Sequence, residues 1–183
     1  MTILHIDSSI TGDNSASRAI SRSIVDRLIA HDRDADIISR DLVAQPLPHL
    51  TLGALGDQDV LDEFLGADTI VIGAPMYNFT LPTQLKAWID RIVIAGKTFR
   101  YTAEGPEGLA GGRRVIVALA RGGIYDAGSP AAALEHLESY LRGVFNFIGI
   151  EPEFVAADGL NISSEQREDS IRHALGETVR LAA

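Results

Sequence analysis

The sequence contains no cysteine. That absence excludes disulfides, thiolate nucleophiles and Cys-ligated zinc or iron–sulfur sites together, and it predicts a reducing, cytoplasmic setting. Any redox chemistry must then come from a borrowed cofactor. Positive charge is also scarce. The 16 Lys and Arg against 25 Asp and Glu give a formal charge of -9, so a nucleic-acid backbone or an anionic membrane is repelled overall, and an anionic ligand needs local donors. Long hydrophobic runs are missing: Thr69 to Ala74 and Val115 to Ala120 fall far short of the roughly 20 residues that cross a bilayer. The opening Met1 to Asp7 lacks the basic and apolar regions of a secretory signal, and none is expected. There is no Gly-x-Gly-x-x-Gly fingerprint, no Gly-Lys-Ser/Thr P-loop and no Gly-x-Ser-x-Gly elbow, which argues against dinucleotide-fold dehydrogenases, nucleoside triphosphatases and serine hydrolases. His5, His31, His49, His136 and His173 are scattered without ligand spacing, so no metal site is expected.

What is present suits one folded domain spanning 1–183: 46% of residues are hydrophobic and 22% charged, enough apolar surface for a sizeable core. Strand and helix patterns alternate along it. Ile3 to Asp7 reads as a buried strand, followed by a helix with Ile20, Ile24 and Leu28 on one face, Ser15 as its N-cap and Arg18, Arg22 and Arg27 on polar faces. Asp36 to Arg40 is a second strand, and Leu61, Phe64 and Leu65 suggest a short helix whose Asp57, Asp59, Asp62 and Glu63 form a solvated face. Thr69 to Ala74 is apolar on both faces, as a central strand covered by helices requires. An apolar stripe from Leu81 to Val93 follows, with Trp88 on it and Lys86, Asp90 and Arg91 off it. Val115 to Leu119 is the fourth strand, and a long helix carries Leu134, Leu137, Leu141, Val144, Phe145 and Ile148. Phe154 to Ala157 is the fifth strand, and Ser163 to Gln166 offers a capping box for a last helix with Ile171, Ala174, Leu175 and Val179 on one side.

Five strands each followed by a helix predict a doubly wound α/β fold, a five-stranded parallel sheet with helices on both faces. Ligands of such sheets lie beyond the carboxyl ends of the strands, where strand order reverses. Three loops are therefore of interest. The first holds Ser9, Thr11, Ser15 and Ser17 before a helix N-terminus, a donor set that suits a compact phosphate as well as an ordinary polar loop. The second, Met76-Tyr77-Asn78-Phe79, offers flat and soft side chains and one amide to a planar ring, or simply caps the sheet. The third, Arg121-Gly122-Gly123, exposes amides that could meet ring oxygens, although a turn explains two glycines equally well.

Taken in order, Ala74-Pro75-Met76-Tyr77-Asn78-Phe79, Gln84-Leu85-Lys86, Thr98 to Thr102, Gly105-Pro106-Glu107-Gly108-Leu109, Arg121-Gly122-Gly123 and Phe147 to Ile150 closely resemble the FMN-dependent NADH azoreductase and quinone reductase family. The resemblance spans nearly the whole chain. It implies a flavodoxin-like three-layer sandwich and a homodimer with one FMN per subunit, each site completed by its neighbour. By position, Ser9 and Ser15-Ala16-Ser17 match the family's phosphate loop, Pro75 and Met76 to Phe79 its ring loop, and Arg121 to Gly123 its pyrimidine-edge loop. Tyr101 and Phe147 match aromatics that line the substrate side. The implied chemistry is ping-pong: NADH gives a hydride to the flavin, leaves, and a quinone or azo compound takes the two electrons, with no catalytic side-chain dyad. Ala120 stands where many relatives have Ser, and the Leu50 to Asp68 segment is shorter than theirs. The rival readings are a flavodoxin-type electron carrier, which would lack the Thr98 to Thr102 aromatics, and a general NAD(P)H:FMN reductase. A phosphoacceptor domain would want an acidic pair after the first strand, where Asp7 is followed by Ser8.

Overall fold

The computed structural model describes residues 1–56 and 58–181, with side chains at all of these except 55 and 56. Asp57 of the expected acidic face lies outside the described residues. In chain order the first half comprises β1 (Thr2–Asp7), α1 (Ala16–His31), β2 (Asp36–Asp41), α2 (Asp59–Gly66), β3 (Thr69–Pro75) and α3 (Thr83–Ile92). The second half comprises β4 (Phe99–Thr102), β5 (Gly105–Gly108), β6 (Arg114–Ala120), α4 (Glu138–Phe147), β7 (Glu153–Ala157) and α5 (Ser164–Leu181).

Five strands form one parallel sheet in the order β2-β1-β3-β6-β7. Alternation along each strand divides its side chains between two cores, because successive residues point to opposite faces. Ile3, Val71, Ile116 and Val155 meet Ile20 and Ile24 of α1 and Ala174 of α5. Leu4, Ile70, Ile72 and Val117 meet Phe64, Trp88 and Phe145 of α2, α3 and α4. Trp88 is fully buried with its ring edge-on to Phe64 at 6.0 Å, so it is core. Each such side chain contributes about 1.5–3 kcal/mol by leaving water. No helix among the described residues is long and apolar enough to cross a membrane.

Local chemistry sets several element ends. Ser15 adopts an extended conformation and its Oγ accepts the Arg18 N–H at 3.2 Å, so α1 begins at Ala16. The fourth helix is shorter than the apolar pattern predicts. Leu134 lies in a separate 3-10 turn, because the Glu135 carboxylate takes the N–H groups of Leu137, Glu138 and Ser139 at 3.0, 2.8 and 2.9 Å and starts α4 there. Burial opposes ionisation of Glu135, yet these donors outweigh it and hold its pKa below the usual value. Only half of the capping box before α5 forms: Ser163 Oγ accepts from Gln166 N, while the Gln166 side chain turns to Ser170. On α5 Thr178 is buried and Val179 exposed, the reverse of the expected stripe.

Two charged residues depart from expectation. Arg91 is buried, not on the polar face of α3, and it donates to the carbonyls of Ala87 and Pro48, both at 2.7 Å. Glu63 accepts Arg40 at 2.9 and 2.7 Å, leaving Asp59 and Asp62 as the exposed acids of α2.

The antiparallel β4–β5 hairpin was not legible as strands, since Gly-Pro-Glu-Gly reads as a loop. It docks on the end of α4 through Ala110 N to Ile148 O at 2.9 Å, and the chain then enters β6, whose first N–H bonds Asp68 O beside the start of β3. The hairpin therefore sits at the amino-terminal edge of the sheet. Tyr101 on it is 75% exposed, and Phe99 links it edge-on at 5.5 Å to Phe147 at 4.6 Å.

Candidate functional site

The chain leaves β1 to one side for β2 and returns on the other for β3, so strand order reverses between β1 and β3. A crevice opens beyond their carboxyl ends, the place where doubly wound sheets bind ligands. A cavity of about 350 Å³ lies there, lined by Ser9, Ser15 and Ala16 of the first loop, Pro75, Met76 and Tyr77 of the second, and Ala120 and Gly122 of the third. Three segments far apart in sequence thus meet in one pocket.

Seven expected residues stand outside this cavity. Ser17 is fully buried, its Oγ against Ser15 Oγ at 3.1 Å. Asn78 lines an adjoining cavity of about 620 Å³ that shares Met76 and Tyr77 with the first, and Phe79 is exposed beside them. Arg121 and Gly123 do not line either cavity. The Arg121 side chain turns inward: Nε and Nη2 donate to Asp158 at 2.6 and 2.8 Å, and Nη1 faces Glu138 at 3.4 Å and Glu135 at 3.6 Å. Burial opposes its charge, but these carboxylates more than compensate and its pKa is raised. Tyr101 and Phe147 lie at the opposite edge of the sheet and line neither cavity of their own chain. The pocket also takes in Thr11 of the first loop's hydroxyl set, and it gathers Asn14, Leu160, Asn161 and Arg167, which periodicity could not single out because a loop and the exposed side of a helix carry no apolar signal.

The second loop is held under strain. Tyr77 and Thr80 exchange backbone bonds at 2.9 and 3.2 Å around Asn78 and Phe79, whose φ angles are 47° and 73°. Left-handed backbone costs a non-glycine residue roughly 1–2 kcal/mol, and such strain collects where a side chain must be aimed. Tyr77 Oη accepts the Ile10 N–H at 3.0 Å and lies 3.3 Å from Ser9 Oγ, joining the second loop to the first.

Arg18 was expected at the surface; its side chain is 15% exposed and works as a clamp. It donates twice to Ser9 O, at 3.2 and 2.9 Å, and twice to Asp41, at 2.8 and 2.9 Å, with Asp7 at 3.4 Å. Asp7 in turn accepts Ser21, which bonds His5 Nε2 at 3.0 Å; burial pulls the His5 pKa down. The Arg18 hydrogen bonds hold Asp41 at a pKa of about 2, below its ordinary 3.8. A carboxylate with a lowered folded-state pKa stabilises the fold above its unfolded value and loses that contribution as pH falls through the folded value. Asp41 is 38% exposed, so screening reduces the contribution to about 1 kcal/mol. Asp41→Asn, which keeps the acceptor for Val43 and Ala44, is expected to cost about that much at neutral pH. The deficit should close between about pH 4 and pH 2 in urea titrations; a pH-independent deficit would contradict it.

The donor set fits an anion joined to a flat, oxygen-edged ring. The N–H groups of Ala16 and Ser17 open α1 and have no acceptor among the described residues, nor do those of Gly122 and Gly123. The carbonyls of Arg121, Gly122 and Gly123 are all taken, by Leu160, Asn161 and Gly159, so the third loop is pinned with its donors free. A Cβ at Gly122 would stand 2.5 Å from Asn161 Nδ2, so glycine keeps that wall open. Met76 and Tyr77 supply the flat wall between the two donor groups.

The family model described as flavodoxin-like fold matches residues 1–181. An FMN-dependent NADH:quinone oxidoreductase from Bradyrhizobium diazoefficiens is 51% identical over 201 aligned positions, covering 100% of both chains; the alignment exceeds this chain's length, so that relative carries residues absent here. One from Sinorhizobium fredii is 52% identical, again over 100% of both. Among solved structures, an azoreductase from Bacillus anthracis superposes with a TM-score of 0.91 at 27% identity over 100% of this chain and 98% of its own. A Bacillus anthracis FMN-dependent NADH-azoreductase in complex with FMN superposes at 0.85 with 25% identity, covering 100% of both chains. With this sheet, this pocket and these relatives, the chain belongs to the flavodoxin-like family and, within it, to the FMN-dependent NADH:quinone oxidoreductases.

Proposed function

We propose that the protein is an FMN-dependent NADH:quinone oxidoreductase that also cleaves aromatic azo compounds to amines, and that it works as a homodimer. The observation that carries this reading is the convergence of unpartnered amide donors and hydroxyls on a pocket walled by Met76 and Tyr77 at the β1/β3 switch point. FMN, when bound, supplies the hydride-accepting and hydride-donating chemistry that the side chains lack. Ser9, Ser15 and the N–H groups of Ala16 and Ser17 would hold its phosphate at the positive end of α1. Pro75, Met76, Tyr77 and the strained Asn78–Phe79 turn would orient its ring, and the Gly122 and Gly123 amides would donate to its polar edge and stabilise negative charge there. Ala120 presents no hydroxyl to the pocket, so the amides carry that work.

Two features support the dimer. Tyr101 and Phe147 lie at the far edge of their own sheet, and Tyr101 is exposed. Aromatics so placed can line the substrate side only of a second copy's pocket. Such a flat, open site admits both quinones and azo dyes.

The purified protein is expected to be yellow and to oxidise NADH when benzoquinone or an azo dye is supplied. Colourless protein that takes up no added FMN and consumes no NADH with either acceptor would overturn the reading. Sedimentation is expected to show a dimer, and Tyr101→Ala to impair benzoquinone turnover without releasing FMN.

A further inference from the structure

We propose that Arg167 is a phosphate-recognising cation of the FMN pocket, the residue by which this chain distinguishes FMN from an unphosphorylated flavin. The inference rests on the reading above, since it assigns a residue to that site's ligand. Arg167 stands in the first turn of α5, half-buried, and lines the cavity together with Asn14, Ser15 and Ala16, the segment that opens α1. Its Nη2 donates to Asn14 O at 2.8 Å, which seats the guanidinium against the first loop from the opposite side of the crevice. The remaining N–H groups of the guanidinium have no acceptor among the described residues.

The contrast with the other arginines near the three loops carries the assignment. Arg18 is neutralised by Asp41 and Asp7, and Arg121 by Asp158, Glu138 and Glu135. Among the described residues Arg167 has no carboxylate within ion-pairing distance and is the one cation lining this pocket. A phosphate entering a chain of formal charge -9 meets an unfavourable field overall. Ser15 and the α1 amides are neutral donors, so an unpaired guanidinium at the same end of the pocket is the group that offsets that field, by charge-assisted and geometrically fixed hydrogen bonds.

The test is flavin binding, free of turnover. FMN and riboflavin are titrated separately into flavin-stripped wild type, Arg167→Ala and Arg167→Lys, at low and high salt, with flavin fluorescence as the readout. Arg167→Ala is expected to weaken FMN about 10- to 100-fold, the loss of one charged hydrogen-bonding partner, and to leave riboflavin within about twofold. Its FMN affinity should also depend less steeply on salt, and Arg167→Lys, which keeps the charge, should retain part of what alanine loses. Unchanged FMN affinity in Arg167→Ala overturns the proposal. So does a parallel loss of FMN and riboflavin, which would make Arg167 only the anchor of Asn14. A wild type that binds neither flavin overturns the FMN reading itself, an outcome distinct from both.

Discussion

Replacing Arg121 by methionine is expected to lower the unfolding free energy by about 3 to 5 kcal/mol at neutral pH, the cost of breaking a buried ionic cluster from one side. Methionine preserves much of the length and volume, so the loss is not chiefly one of packing. What remains is Asp158, Glu138 and Glu135 facing one another without their shared cation. Three predictions separate this charge effect from a cavity. The deficit should shrink in high salt, because screening weakens the repulsion among the three carboxylates left without their cation. Asp158→Asn added to Arg121→Met should recover part of the stability, since it removes one of the repelling charges. FMN binding should weaken too, as Glu135 starts α4 and Asp158 borders the loop that pins Gly122 and Gly123. Urea unfolding at low and high salt measures the first two. A deficit under about 1 kcal/mol that is flat with salt would show that the cluster is not energetically coupled.

Gly108→Ala is expected to destabilise the protein by about 3 kcal/mol or more, at the upper end of overpacking effects. A Cβ there would stand 2.2 Å from Gly149 N, 2.3 Å from Ile148 C and 2.5 Å from Gly149 Cα. These are backbone atoms and cannot swing aside. Gly149 itself needs glycine, with φ at 91° and Gly108 backbone 3.2 Å from its own ideal Cβ. The β4–β5 hairpin must therefore lift from the end of α4, straining the Ala110 to Ile148 bond and the Phe99–Phe147 contact. Because the hairpin lies at the edge of the sheet opposite the pocket, FMN binding by the folded variant is expected to survive. In the proposed dimer the same variant loses benzoquinone turnover, since Tyr101 travels with the hairpin. An unchanged urea midpoint would refute the packing argument; loss of FMN before loss of turnover would refute the division of labour.

Much of the site could be read from residue types. Ser15 is an N-cap in sequence and in structure, and Ser9, Ser15, Ala16, Pro75, Met76, Tyr77 and Gly122 do meet in one pocket. Strand-to-helix alternation places those loops on one edge of the sheet before any contact is known. Arg121 shows where such reasoning stops. Its loop position is right, yet its side chain serves Asp158, 37 residues away, in preference to the pocket. Arg18 finds Asp41 across 23 residues, and Arg91 finds the Pro48 carbonyl across 43.

The order of the five sheet strands and their helices, the parallel sheet, the two apolar cores and the three loops at its carboxyl end were determined by the sequence itself, because hydrophobic period and helix capping act over a few residues. The tertiary structure decided which arginines are spent on the fold and which one faces the pocket. Arg167 meets Asn14 across 153 residues. A long charged side chain has no preferred partner along its own element. Its role is settled by which carboxylates and carbonyls the folded chain brings within reach, and by whether burial leaves its charge paired or available.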